Sequence, residues 1–455
     1  MHAINNESLL QKYNKAGPRY TSYPALPHWN GVPDKSDWFE ELKHSVATGR
    51  AIELYLHIPF CESLCTYCGC HKKITKNHEL EENYITALLG EWDLYIKELD
   101  ELPKIAAIHL GGGTPNFLSA KNIKRLINGI TSKAKLLKNH SLSIEIDPRT
   151  IKVEQLKMLR ELKFDRISLG IQDFDPDVQK AINRVQDFKM ISELVLTCRN
   201  FGFKAINFDL IYGLPLQNKK SIQKTIKKVL ELAPERIALY SYAHVPWKAL
   251  SQKSLEKYPL PLGREKQELF ELSEELLEKA GYLKLGLDHF SKENDPLNQA
   301  FKNGQLHRNF MGYTVQESPT LIGLGASSIS SSGNGFVQNE KDIEKYQENI
   351  QEGAFPWING HTSTLLDVKT NQVIQGIMCN LSSETYDFIL NLEKDLQEKV
   401  RKNLLELIED GLINMSGSKI SVTERGRPFL RNICMAIDPR LIEKGITDHC
   451  FSKSI

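Results

Sequence analysis

From residue 51 to about residue 290 the chain alternates short apolar runs with longer amphipathic stretches. Runs of β type lie at 52–58, 105–110, 142–146, 166–171, 205–211 and 236–242. Stretches whose apolar residues recur every three or four positions lie at 80–98, 121–137, 151–162, 188–201 and 219–232. Repeated alternation of strand and helix implies right-handed crossovers and a parallel sheet. The pattern therefore predicts an α/β fold with a partial (β/α)6 barrel.

Two segments after the sixth strand change the pattern. A run at 282–290 follows a helical stretch at 264–280, and we expect it to extend the sheet. The Gly/Ser-rich stretch at 323–335 has the composition of a flexible linker, but apolar residues alternate within it at Leu324, Ala326 and Ile329. We therefore predict an ordered loop.

The two ends of the chain differ from its middle. The first 50 residues are rich in Pro, Tyr and Trp without clear periodicity, so we expect an arm that lies over another part of the protein. Residues 403–427 resemble a helix followed by a hairpin, the outline of a winged helix, which we interpret as a packing domain. The predicted domains are an arm at 1–50 covering the active site, a barrel at 51–300, an ordered connecting segment at 301–361 closing the site, and a helical, winged-helix-like domain at 362–455.

Composition narrows the class of protein. The 455 residues include 58 Lys and Arg against 57 Asp and Glu, and this net charge of +1 argues against nucleic acid and anionic membranes as partners. No apolar run approaches the roughly 20 residues that span a bilayer. The N-terminus has neither a basic region nor an apolar core typical of a signal peptide. We expect a cytoplasmic monomer.

Cysteine spacing gives the first chemical signal. Four of the eight cysteines lie within ten residues, at Cys61, Cys65, Cys68 and Cys70, and the other four, Cys198, Cys379, Cys434 and Cys450, are isolated. Three thiolates spaced C-x3-C-x2-C can hold three irons of a [4Fe–4S] cluster and leave the fourth iron open. The alternative is structural zinc with Cys70 as a fourth ligand, although zinc sites usually draw ligand pairs from separated segments.

Polar or glycine-rich residues follow several of the predicted strands, where a parallel barrel holds its ligands. Gly111–Pro115 (GGGTP) follows the second strand, and Glu145, Gln172 and Asp209 close the next three. Any one of these could merely cap a helix, and Arg184 could be a surface charge. Together they predict one polar mouth for a ligand with ammonium, carboxylate and hydroxyl groups.

The cysteine spacing, with Tyr67 before the third cysteine, resembles that of the radical S-adenosylmethionine (SAM) superfamily. Further motifs resemble the oxygen-independent coproporphyrinogen III oxidase family in that family's order: QKYNKAGPRYTSYP, YLHIPFCESLCTYCGC, HLGGGTP, SIEIDPR, GIQDF, NFDLIYGLP, HRNFMGYT and RNICM. They run from residue 11 to residue 435. The resemblance implies haem biosynthesis without oxygen, in which two propionates of coproporphyrinogen III become vinyl groups and protoporphyrinogen IX forms. It also implies an electron donor such as flavodoxin or ferredoxin.

The resemblance implies roles for individual residues. Cys61, Cys65 and Cys68 would ligate the cluster, and Cys70 would not. Residues matching contacts of the cluster-bound SAM are Tyr55, Gly112, Glu145 and Ile329. Residues matching contacts of a second SAM molecule are Tyr67, Gly113, Thr114, Gln172, Arg184, Asp209 and Ala243. Some members have Phe where this chain has Tyr67, and Trp where it has Leu110.

Substrate chemistry agrees with a radical reaction. The C–H bond at a propionate β-carbon is far too weak an acid for any side-chain base, so a radical is required. A substrate with four carboxylates also calls for cationic and polar partners, and the candidates are Arg19, Tyr20, Tyr23, His307 and Arg308.

Two other functions compete with this interpretation. A related haem-binding chaperone would keep the radical SAM core but commonly lacks a cysteine at the position of Cys70 and the GPRYTSYP arm, both of which are present here. A related radical SAM enzyme acting on another substrate, such as a methyltransferase or a haem-opening enzyme, would differ only in its pocket.

Overall fold

The computed structural model describes residues 6–316, 320–333, 335–445 and 451–453, so Cys450 lies outside the described part of the chain. The helices are α1 Asn6–Tyr13, α2 Lys35–Ala47, α3 Leu80–Glu98, α4 Ala120–Thr131, α5 Val153–Glu161, α6 Pro176–Ala181, α7 Phe188–Asn200, α8 Lys219–Leu232, α9 Arg264–Lys279, α10 Pro296–Lys302, α11 Ile343–Gln351, α12 Leu365–Asn380, α13 Tyr386–Leu390, α14 Lys394–Glu409, α15 Leu430–Ala436 and α16 Pro439–Lys444. Short 3-10 helices lie at Leu26–His28, Pro115–Phe117, Leu250–Leu255 and Glu424–Phe429.

The strands form one large sheet and three small ones. They are β1 Ile52–Ile58, β2 Phe60–Cys61, β3 Lys73–Ile74, β4 Lys104–Gly112, β5 Lys135–Ile146, β6 Arg166–Gln172, β7 Ala205–Tyr212, β8 Arg236–Ser241, β9 Tyr282–Leu285, β10 His289–Lys292, β11 His307–Asn309, β12 Gly312–Thr314, β13 Leu321–Leu324, β14 Ile329–Ser332, β15 Gly335–Asn339, β16 Trp357–Thr362, β17 Ser382–Glu384, β18 Ile413–Ser416 and β19 Lys419–Val422. The large sheet has the order β16-β15-β14-β13-β1-β4-β5-β6-β7-β8-β10-β9.

The six predicted strands are the parallel centre of this sheet, since β1, β4, β5, β6, β7 and β8 pair with one another in parallel. The prediction of a partial (β/α)6 barrel with a mainly helical C-terminal region is confirmed. Helix α8 shows why the crossover helices form. Asn218 caps its first turn, and its apolar side, including Ile222, Ile226 and Val229, is buried in the core.

Side-chain alternation along the central strands separates two environments. Apolar residues such as Leu54, Ile144 and Phe208 are fully buried in the main core. Residues on the other face, such as Ser143, Ser168 and Asn207, line a cavity inside the barrel. A strand presents successive side chains to opposite faces, so each central strand contributes both to the core and to the cavity wall.

One local prediction was wrong, and another was confirmed with a difference in detail. The helix predicted at 121–137 ends at Thr131, because Lys135 already pairs with Lys104 in the sheet. The run at 282–290 extends the large sheet as predicted, but it does so as two antiparallel strands, β9 and β10, with Gly286 at a φ of +54° between them. In both places sheet pairing with distant residues overrides the local apolar pattern.

The Gly/Ser-rich segment is ordered as predicted in the part that the structure describes. Strand β13 pairs in parallel with β1, and β14 and β15 extend the sheet antiparallel from it. Buried Glu91 supports the turn before β14, because its carboxylate accepts hydrogen bonds from the Gly325 amide at 2.8 Å and from the Asn339 side chain at 2.6 Å.

The N-terminal arm contains a helix that its sequence pattern does not predict. Asp34 caps α2 by accepting a hydrogen bond from the Ser36 amide, and Trp38, Phe39 and Leu42 of α2 belong to the main core. Residues 9–23 contribute Leu9, Tyr13, Tyr20 and Tyr23 to a second core. The two halves of the arm therefore pack in different places.

This second core is centred on the C-terminal region. It combines the arm with apolar residues of α12, α14 and α15, beside the three-stranded sheet β17-β19-β18. The predicted helix and hairpin within 403–427 correspond to the end of α14 and to β18 with β19. No helix of the described residues has the length and apolar character needed to cross a bilayer.

Candidate active site

The loop after β1 carries the clustered cysteines into the barrel cavity, whose volume is about 390 Å³. We call residues 59–72 the cluster loop. Cys61, Cys65, Cys68 and Cys70 all line the cavity. The Cys61 thiol is buried and accepts a hydrogen bond from the Thr114 hydroxyl at 3.2 Å. This places the cysteines and the GGGTP turn on one wall.

The thiols sit in different electrostatic environments. Burial raises the pKa of Cys61 to about 11, whereas a hydrogen bond with Cys70, reinforced by the nearby Lys72 ammonium, lowers the pKa of Cys68 to about 6. The same contact raises the pKa of Cys70. The contact between Cys68 and Cys70 therefore favours the thiolate form at Cys68.

Two arginines face the Cys65 sulfur. The Arg184 guanidinium lies 3.4 Å from it, and the Arg149 guanidinium lies 3.5 Å from it. Both arginines also bind the Asp147 carboxylate, at 3.2 and 2.6 Å. Although burial opposes its ionisation, these contacts hold the pKa of Asp147 below its ordinary value. The arginines supply positive charge beside a position where thiolate negative charge is expected.

The donor set fits an iron–sulfur cluster better than a single zinc ion. No group of three or more His, Cys, Asp or Glu side chains in the described residues is arranged to hold one metal ion. Three thiols spread along one cavity wall, with two guanidiniums beside them, instead suit a larger and negatively charged group.

The glycines at the end of β4 allow a close approach of backbone to ligand. A Cβ atom at Gly111 would lie 2.9 Å from the Tyr55 ring and 3.0 Å from a Glu145 oxygen. Gly112 has a φ of +115°, a conformation that other residues rarely adopt, and its amide donates to Glu145 at 3.3 Å. The turn depends on glycine, and Glu145 projects beside it into the cavity.

Most of the predicted cofactor contacts line this cavity. Besides the three cysteines, they are Tyr67, Gly112, Gly113, Thr114, Glu145, Gln172, Arg184 and Asp209. Asp209 accepts hydrogen bonds from Ser168 at 2.7 Å and from Asn207 at 2.9 Å, and burial raises its pKa to about 6. Gln172 has a φ of +65°, so its position is strained for a residue with a side chain.

Three predicted cofactor contacts lie beside the cavity and do not line it. The Tyr55 hydroxyl is 3.1 Å from a His57 ring nitrogen. Ile329 packs its backbone against Gly323, which pairs with Tyr55 across the sheet. The Ala243 carbonyl accepts a hydrogen bond from Gln252, whose amide also donates to the Tyr67 carbonyl.

The predicted substrate residues lie away from the cavity wall. Tyr20 and Tyr23 are buried, and their hydroxyls donate to Asp438 at 3.0 and 3.1 Å, so their ring faces are covered. Arg19 is exposed, with its guanidinium 3.3 Å from the Ser241 carbonyl. His307 and Arg308 lie on β11, the first strand of a hairpin whose other residues line the cavity.

The sequence patterns did not predict several polar residues that line the cavity. They are Asp147 and Arg149 of the SIEIDPR motif, and Asn207 and Tyr240 on the strands. The period-two alternation of polar and apolar residues along the strands was the available signal, because it identifies the inward face of the barrel.

Known protein families and relatives match most of this chain. The Radical SAM superfamily matches residues 55–229, and the HemN C-terminal domain matches residues 370–429. Oxygen-independent coproporphyrinogen III oxidase of Salmonella typhimurium is 37% identical over 448 residues, covering 96% of both chains. The enzyme of the same name from Helicobacter pylori strain 26695 is 36% identical over 100% of both chains.

A solved structure of a similar protein has the same fold. The structure of coproporphyrinogen III oxidase (HemN) from Escherichia coli, described as a radical SAM enzyme, superposes with a TM-score of 0.88 at 34% identity. The match covers 96% of this chain and 99% of that one.

Proposed function

The chain belongs to the oxygen-independent coproporphyrinogen III oxidase family of radical SAM enzymes, and we propose that it converts two propionates of coproporphyrinogen III to vinyl groups. The product would be protoporphyrinogen IX, with loss of carbon dioxide. The cofactors of this enzyme are a [4Fe–4S] cluster and SAM. The observation that carries the proposal is the convergence of the cluster loop with Glu145, Gln172 and Asp209 around one cavity.

When bound, the cluster and SAM supply the 5′-deoxyadenosyl radical that removes hydrogen from an unactivated carbon. The thiols of Cys61, Cys65 and Cys68 would hold the cluster. Arg149 and Arg184 would offset its negative charge through their contacts at Cys65. These are tasks of binding and charge compensation, which is what a protein contributes when the cofactor performs the chemistry.

Side chains at the strand ends would orient SAM. Glu145 offers a carboxylate to an ammonium group, and the Gly112 and Gly113 backbone admits a ligand carboxylate at close range. Tyr67, Gln172, Arg184 and Asp209 lie farther around the same wall, and we propose that they hold a second SAM molecule.

The β11–β12 hairpin supports the exclusion of water from the reaction. Met311, Tyr313 and Val315 lie against the cavity, and the Asn309 amide donates to buried Glu53 on the barrel floor at 2.9 Å. A radical reaction gains from such cover because water and reductant would otherwise quench the intermediate. We propose that residues 301–361 close the site and that the arm before residue 50 covers it, beside a barrel at 51–300 and a C-terminal domain at 362–455.

The remaining partners follow from the chemistry. The cluster needs single electrons from outside, and we propose a small carrier such as flavodoxin or ferredoxin. We propose that the enzyme acts as a monomer. The seven cysteines that the structure describes are free thiols, which supports a reducing compartment, the cytoplasm.

The test is anaerobic reconstitution with iron and sulfide, followed by SAM, a reductant and coproporphyrinogen III. We expect protoporphyrinogen IX and 5′-deoxyadenosine, separated by chromatography. Stable haem binding without a vinyl product would favour a haem chaperone and overturn the proposal. Cleavage of SAM without consumption of this substrate would point to a radical SAM enzyme acting on another compound.

A further inference from the structure

A second cavity of about 50 Å³ lies where the arm meets the barrel and the C-terminal region. We call it the cationic cavity. The residues that define its chemistry are Arg19, Ser241, Lys284, Asp288, Arg427 and Arg431. Four of these side chains are cationic, and only Asp288 is acidic.

The charges around the cationic cavity do not balance. Lys284 is paired with Glu274 at 2.6 Å, and Asp288 is engaged by His289 at 2.7 Å. Arg427 lies 3.4 Å from Glu424, which is largely exposed. Within the described part of the chain, neither Arg19 nor Arg431 has a carboxylate within 4.0 Å.

Burial makes this excess of positive charge costly. Arg431 is only 5% exposed, and its burial together with the neighbouring Arg19 lowers its pKa to about 9. Lys266, whose ammonium donates to the Tyr242 carbonyl at 3.0 Å, has its pKa lowered to about 8 by burial and by Arg19 and Arg431. Arg431 donates hydrogen bonds to four backbone carbonyls, those of Gly17, Pro18, Ser452 and Lys453, so its donors are satisfied but its charge is not neutralised. A buried charge without a counter-charge is unfavourable, so an anion in the cationic cavity would stabilise the cluster.

The arm is fixed in a way that holds Arg19 at this cavity. Arg431 donates hydrogen bonds to the carbonyls of Gly17 and Pro18. Arg308 donates to the next two carbonyls, those of Arg19 at 2.9 Å and Tyr20 at 2.8 Å. Tyr20 itself has a φ of +49°. Two arginines thus hold four consecutive carbonyls, and the Arg19 side chain is presented from a rigid backbone.

The position of the cationic cavity relates it to the active site. Tyr212 and Ser241, which line it, close strands β7 and β8 at their carboxyl ends. Their neighbours Ile211 and Tyr240 line the barrel cavity, as does His289 beside Asp288. Successive side chains of a strand point to opposite faces, so the two cavities lie on opposite faces of the sheet near the same edge, and a ligand that reaches over this edge can enter both.

We propose that the cationic cavity binds a carboxylate of the substrate that does not react in the same turnover. This inference rests on the proposed function, because a tetracarboxylate can place one carboxylate here while another lies in the barrel. A volume of about 50 Å³ suits a small group such as a carboxylate, not a tetrapyrrole ring. Free phosphate or a free carboxylate shares this chemistry.

The first test compares Arg19→Ala, Arg19→Lys and Arg50→Ala in steady-state kinetics with coproporphyrinogen III. Arg50 is a matched control, since it is also exposed and cationic and lies in the same arm. Losing a charge-assisted hydrogen bond should raise the KM of Arg19→Ala roughly 10- to 100-fold, with kcat within about threefold of wild type. Arg19→Lys should fall between wild type and Arg19→Ala, and Arg50→Ala should match wild type. Iron content checks that every variant is intact.

The second test uses thermal unfolding with sodium phosphate or sodium propionate against sodium chloride at equal ionic strength. If these anions raise the Tm of wild type but not of Arg19→Ala, while both have the same KM, the cavity binds free anions and the substrate assignment is overturned. An active wild type with equal KM for Arg19→Ala and Arg50→Ala also overturns it. A wild type that forms no vinyl product overturns the proposed function instead, so the two failures are distinguishable.

Discussion

The cluster loop and the arm contact each use a pair of arginines, but in opposite electrostatic situations. At the cluster loop, Arg149 and Arg184 share the Asp147 carboxylate. We call the packing of residues 12–23 on Asp410, Arg431 and Asp438 the arm contact. There, Arg308 and Arg431 donate hydrogen bonds to backbone carbonyls. The first pair shares one carboxylate, whereas the second pair is bound by neutral carbonyls and has no such counter-charge among the hydrogen-bond partners that the structure describes. Positive charge without a counter-charge in a folded protein can indicate where an anionic ligand belongs.

The pKa values of the buried carboxyl groups in the two regions are shifted in opposite directions. Arginine contacts outweigh burial and hold the pKa of Asp147 low, whereas burial raises the pKa of Asp438 to about 6 despite hydrogen bonds from Tyr20 and Tyr23. Asp147 therefore stabilises the fold in its ionised form, and Asp438 does so in its protonated form.

The largest expected effect concerns the cysteines of the cluster loop. Replacing Cys61, Cys65 or Cys68 by Ser should abolish the cluster and all activity, because each thiol holds one iron. Cys70→Ser should retain the cluster. Iron content and visible absorbance after anaerobic reconstitution measure this. The assignment is wrong if Cys70→Ser loses the cluster while one of the other variants keeps it.

The next largest effect removes the shared acid of the cluster loop. Asp147→Ala leaves two buried guanidiniums without their carboxylate and should lower the free energy of unfolding by about 3 to 5 kcal/mol. Denaturant unfolding of the cluster-free protein reports this value. Asp395→Ala is the matched control, because Asp395 is exposed and pairs with Lys399 one helical turn away. Equal stability of the two variants would contradict the stabilising role given to Asp147.

A smaller effect is a pH dependence of the free energy of unfolding that arises at Asp438 and not at Asp147. Because the pKa of Asp438 rises from 3.8 to about 6 on folding, the native state binds more protons there, and its contribution to stability falls as pH rises through that interval. The total fall is at most about 3 kcal/mol. Asp438→Asn should remove this part of the pH dependence between pH 4 and 7, whereas Asp147→Asn should leave it. Identical slopes for wild type and Asp438→Asn would refute the prediction.

The smallest effect lies at the solvent edge of the arm contact. Lys12 binds Asp410 at 2.6 Å and Glu406 at 2.7 Å, but it is partly exposed. Lys12→Ala should cost only about 0.5 to 1 kcal/mol of unfolding free energy, and added salt should reduce the difference. A loss above about 2 kcal/mol would mean that the arm is held by this edge more than by its buried tyrosines.

Local patterns predicted much of the fold and site. The six parallel strands were predicted because each one is a short apolar run that lies between amphipathic helical stretches. The structure differs from the predicted elements where pairing with distant residues decides the outcome. Lys135 joins the sheet through Lys104, and the run at 282–290 folds back on itself beside β8.

The sequence by itself determined the cluster loop, since its three cysteines lie within eight residues and need only one turn of chain to converge. Tertiary structure alone decided the arm contact. Tyr20 reaches Asp438 across 418 positions, and no local pattern marks such a pair. The same holds for Arg19 and Arg431, which line one cavity only because the arm packs on the C-terminal region. Electrostatic interactions depend on burial and distance, and folding sets both.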